Sequence, residues 1–119
     1  MSDDSLGTIE REVLTWPGVT REAGRFNSVS FTVGRRGIGH VHRNGVADLP
    51  FPRAVYEELI ASGRASPHQA GVSGVVSVWL ETPADIERAI ALLRMNYDRA
   101  TAARGGNATA EPVDGLAPS

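Results

Sequence analysis

From Asn27 to Val33 the chain alternates: Val29, Phe31 and Val33 point one way, Ser28, Ser30 and Thr32 the other. A strand of this kind has one dry face and one wet face, so it does not belong in a sheet buried on both sides. A second alternating run, Val75 to Leu80, sets Val76, Val78 and Leu80 against Val75, Ser77 and Trp79. Together the two runs call for an open sheet with helices packed on its apolar face.

The remaining segments supply the other parts. Leu6, Ile9 and Val13 recur at helical spacing, with Ser5 or Thr8 as a cap, Pro17-Gly18 as a stop and Trp16 as an anchor. Between Val19 and Leu49 the period is two and Gly and Asn punctuate the runs. Arg35-Arg36-Gly37 reads as a turn, Ile38 to Arg43 as a strand, Asn44-Gly45 as a hairpin signal and Val46 to Leu49 as the returning strand. Pro52 suits the first position of a helix through Val55, Leu59 and Ile60 that stops at Gly63, and Arg64 to Gly74 reads as a loop. Thr82-Pro83-Ala84-Asp85 then combines a cap, a proline and an acidic residue ahead of Ile86, Ala89, Ile90, Leu93 and Tyr97. The expected architecture is α+β, a mostly antiparallel sheet of about five strands in the order α-β-β-β-β-α-β-α. It forms a single domain over residues 1–103, and residues 104–119, which lack periodicity and bulk, form a disordered tail.

Composition narrows the function. The 119 residues include no cysteine, which removes disulfides, thiolate metal sites and cysteine nucleophiles. The 12 basic residues, all arginine, are scattered in a chain of net charge −2, so the basic patch expected of a nucleic-acid binder is missing. No apolar run follows the acidic N-terminus and no stretch is long enough to span a bilayer, so a cytoplasmic location is expected, as a monomer or a homodimer.

The chemistry-bearing residues are the histidines. His40 and His42 sit two apart on a strand and so share a face, and His68 follows Ser66-Pro67 in the loop. Imidazole titrates near neutrality and suits proton transfer or the binding of an acidic small molecule. The alternative is a pair of half-exposed, hydrogen-bonded histidines with no substrate. An H-x-H strand with a third histidine also invites a metal, as in cupins, but their pattern needs a Glu where Val46 and Ala47 stand, so no metal and no cofactor is expected. Asp48 either orients an imidazole or braces the turn before Pro50. Arg36, beside Arg35, either clamps an anion or caps a solvated turn. Trp79 is a stacking wall for a ring or a packing residue.

The order Arg36-Gly37-Ile38-Gly39-His40-Val41-His42, Ala47-Asp48-Leu49-Pro50-Phe51-Pro52, Ser66-Pro67-His68, a Val-rich strand with Trp79 and a helix ending Leu92-Leu93-Arg94-Met95-Asn96-Tyr97 resembles the luciferase domain. That family holds the fungal luciferases and many small prokaryotic proteins. The resemblance runs from about Trp16 to Arg99 and implies an oxygenase-like activity on an enolic or aromatic small molecule, without flavin or nicotinamide. His40 and His42 fall on the fungal I-x-H-x-H pattern. Pro50 stands where the fungal sequences carry a further His, and Pro67-His68 reverses their H-P. On this resemblance His40, His42 and His68 are the candidate catalytic residues, with Trp79, Asp48 and Arg36 around the substrate. A non-catalytic module that binds a small ligand or a protein on the same face is the other reading.

Overall fold

Each change of hydrophobic period becomes a change of element. The computed structural model describes residues 2–24, 27–68 and 70–110. Helix α1 (Ser2–Val13) leads into strands β1 (Val19–Ala23), β2 (Ser28–Val33), β3 (Arg36–His42) and β4 (Val46–Pro50). Helix α2 (Arg53–Ala61), strands β5 (Ser66–Pro67) and β6 (Val75–Trp79) and helix α3 (Pro83–Ala110) complete the chain. The strands form one antiparallel sheet in the order β1-β2-β3-β4-β6-β5. The fold is thus the expected open antiparallel sheet with three helices. Two differences stand out: Ser66 and Pro67 pair with Ser77 and Val76 as the short β5 where composition alone reads as loop, and Arg36 and Gly37, read as turn, pair with Val33 and Thr32 as the start of β3.

Apolar residues on one side of the strands make the core: Val29, Phe31 and Val33 from β2, Val41 from β3, Leu49 from β4 and Val76 and Val78 from β6. Leu92 and Leu93 of α3, Ile9 of α1 and Leu59 of α2 join the same cluster. Helix α1 is held by Trp16, which lies 5.3 Å from the Tyr97 ring, while the Tyr97 hydroxyl donates to the Pro17 carbonyl at 2.6 Å. It begins upstream of Ser5 and Thr8, and Ser5 is fully buried within it. Pro52 is the cap residue just ahead of α2, one place before its expected position, and Gly63 takes the left-handed conformation beyond the helix end at φ 80°. The start of α3 is a reciprocal box: Asp85 N–H donates to Thr82 Oγ1 at 3.2 Å, and Thr82 N–H to Asp85 Oδ2 at 2.9 Å. The helix backbone continues to Ala110, past the Arg104 at which composition ends the ordered domain; residues 111–119 lie outside the described residues.

One irregularity positions the site. Phe31 pairs with Gly39 and Thr32 with Gly37, so Ile38 is an extra residue in β3, a β-bulge. Ile38 is buried in the core, and its carbonyl and that of Pro50 both accept from the Asn96 side-chain amide, at 3.0 and 2.9 Å. Next to the bulge Gly39 has φ 153°, and a Cβ there would lie 2.8 Å from Leu93 Cδ2. A glycine is required where α3 presses this closely on the sheet. Beyond it the alternation resumes, and His40 and His42 emerge on the face away from the core.

Candidate functional site

The sheet register lays a polar row straight across the open face. Ser30 pairs with His40, His40 with Asp48, Asp48 with Ser77 and Ser77 with Ser66. Residues directly opposite one another share a face, so this row joins side chains that are distant in sequence. The neighbouring row runs Ser28, His42, Val46 and Trp79.

Asp48 is the centre of the row. It is 1% exposed, and its Oδ2 lies 3.0 Å from His42 Nε2, 3.4 Å from His68 Nε2 and 3.5 Å from His40 Nε2. Its Oδ1 accepts the Ser77 hydroxyl at 2.6 Å. Burial alone would raise the Asp48 pKa. Hydrogen bonding from His40 and Ser77 and the adjacent rings of His68 and His40 outweigh it and lower the value from 3.8 to about 2. His42 makes the shortest of the three imidazole contacts, and the carboxylate is faced from three sides by imidazole. Asp48 therefore orients rings rather than bracing the turn.

An ionised carboxylate only accepts, so a neutral ring facing it carries its proton on Nε2 and keeps its lone pair on Nδ1. In His68 that second nitrogen already accepts the Ala70 N–H at 3.1 Å. His68 is thereby fixed as a donor toward Asp48, and His40 and His42 are the rings left to receive a proton from outside. They meet edge to face, with centroids 5.0 Å apart, and their side chains are 39% and 21% exposed against 15% for His68.

The ligating atoms of His40, His42 and Asp48 lie within 4.8 Å of one another, close enough for a single cation. His68, although its Nε2 lies 3.4 Å from Asp48 Oδ2, is not part of this trio. The carboxylate of this trio is not a Glu at the cupin position but Asp48, which arrives from the next strand through the register.

A shallow hollow of about 190 Å³ adjoins His40 and Asp48, bordered by Gly37, Pro50 and Val75. Trp79, 40% exposed, borders a different hollow of about 200 Å³ together with Ser66, Ser77 and Arg88. Arg36 stands at the hairpin end of β3, opposite Val33, where its charge acts on Arg99 of α3. The fold thus brings His40, His42, His68 and Asp48 together and leaves Trp79 and Arg36 outside the cluster. Ser77, Gly39 and Asn96 support the site without any local signal: each acts through a contact made only in the folded chain.

The luciferase-domain family model matches residues 35–96, more than half of the chain. The chain belongs to the luciferase-domain family. The match begins at the hairpin before β3 and ends at Asn96, so it takes in all four cluster residues and the amide that pins the bulge. No curated protein and no solved structure matches this luciferase domain. None of the helices among the described residues is long and apolar enough to cross a membrane.

Proposed function

We propose that this luciferase domain is an oxygenase-like enzyme that needs no cofactor and acts on an enolic or aromatic hydroxyl compound through its histidine cluster. The observation that carries the reading is the convergence of three imidazoles on the buried Asp48 carboxylate, with the two open rings on an accessible face. His40, backed by Asp48 and assisted by His42, takes the substrate's acidic proton; His68 and Ser77 hold the carboxylate. The resulting enolate is electron-rich at carbon. It bonds there to dioxygen to give a peroxide anion, which recovers the proton from the imidazolium, so substrate plus dioxygen yields a hydroperoxide with no other reactant.

A panel of ring enols and phenols, assayed by oxygen uptake with protein dialysed against EDTA, tests this. Consumption that falls at least a hundredfold in His40→Ala/His42→Ala is expected. Loss of uptake on chelation, restored by one added divalent ion, would replace the scheme with a metal-dependent one.

The openness of the face supports a second reading, a ligand-binding module without turnover. In that case the same compounds bind saturably at the histidines, and neither oxygen nor compound is consumed.

A further inference from the structure

We infer that the hollow beside His40 seats a single flat ring, and that the missing side chain at Gly37 sets its size limit. The inference rests on the proton-transfer reading above, since that reading supplies the acidic hydroxyl aimed at His40.

The bulge makes the seat. Ile38 turns into the core, and Gly37 and Gly39 flank it, so between Arg36 and His40 strand β3 presents bare backbone to the open face. Pro50 and Val75, paired on the adjoining strands, supply an apolar wall, and His40 and Asp48 close the other end. A ring lying on this floor would place a hydroxyl against His40 and its carbon skeleton against Pro50 and Val75.

Size follows from volume. About 190 Å³ falls below the roughly 300–1,000 Å³ typical of sites for drug-sized ligands, and suits one ring with short substituents. A Cβ built at Gly37 meets nothing within 4 Å, and Gly37 is not among the residues with positive φ. The backbone there accepts any side chain, and the fold gives no packing reason for glycine. A side chain at this position would extend over the floor.

The test uses 4-nitrophenol, whose phenolate has its own visible absorption band, and the two-ring 4-nitro-1-naphthol. Wild type is expected to bind 4-nitrophenol saturably with a gain of phenolate band, and to bind the naphthol at least tenfold more weakly. Gly37→Leu should weaken 4-nitrophenol binding at least tenfold with an unchanged thermal midpoint, and Gly37→Ala should fall between. Gly37→Leu binding as wild type does, equal affinity for the two probes, or no saturable binding of 4-nitrophenol would each overturn the inference. Saturable binding that Gly37→Leu blocks, with no gain of phenolate band and no effect of His40→Ala, would uphold the seat and overturn the proton-transfer reading.

Discussion

Asn96 donates its side-chain amide to the carbonyl of Ile38 at 3.0 Å, tying the middle of α3 to the bulge in β3. The same nitrogen reaches the Pro50 carbonyl at 2.9 Å, so one buried side chain fixes the strand that carries His40 and the end of the strand that carries Asp48. Asn96→Ala removes two buried hydrogen bonds that join α3 to the sheet, at a cost of about 1–3 kcal/mol. Urea unfolding should show this loss, and wild-type stability would mean that the clamp is idle.

Asp48 makes the protein acid-sensitive in a defined window. Its folded pKa, about 2, lies below the ordinary 3.8, so its stabilisation is complete above pH 4 and is lost as pH falls from 4 toward 2. The shift corresponds to about 2 kcal/mol. Asp48→Asn should be less stable than wild type at pH 6, and the gap should narrow by about that amount at pH 2, read from denaturant midpoints. A gap that does not change with pH would remove the ionised carboxylate from the account.

Gly39 and Gly37 look alike in the sequence but should respond oppositely to substitution. At Gly39 a Cβ would meet Leu93 Cδ2 at 2.8 Å and Leu49 Cγ at 3.2 Å on a backbone that disfavours side chains, so Gly39→Ala should cost about 1–3 kcal/mol. Gly37→Ala should cost nothing measurable. Thermal melts of the pair decide it, and equal midpoints would count against the close approach of α3.

The tautomer of His68 is open to direct measurement. Because Ala70 N–H donates to Nδ1, the neutral ring should carry its proton on Nε2, which nitrogen-15 chemical shifts of the imidazole report. Ala70→Pro combined with Asp48→Asn, which removes both the donor to Nδ1 and the carboxylate facing Nε2, should make the ring a mixture of tautomers. A wild-type ring protonated on Nδ1 would undo the assignment of His68 as a donor.

Much of the fold was legible because it rests on local pattern. The alternation of Val29, Phe31 and Val33 and the Thr82–Asp85 box are short-range signals, and each became the element it predicts. The pairing of His40 and His42 on one face was legible for the same reason. What was not legible depends on partners remote in the chain: Ser66-Pro67 is a strand because β6 offers it hydrogen bonds, and Asp48 meets the histidines because of cross-strand register. Asn96 gives no hint in the sequence that it reaches back to Ile38, 58 residues earlier.

The bulge at Ile38 acts as a frame shift within the sheet. Were Ile38 to take a place in regular pairing opposite Phe31, an unchanged hairpin would turn both imidazoles inward among leucines and valines and bring Val41 out beside Asp48. Variants in which the bulge gives way to regular pairing should therefore lose the cluster as a whole, whereas removal of Ile38 itself leaves Thr32 opposite Gly37 and Phe31 opposite Gly39 and keeps both histidines on the open face.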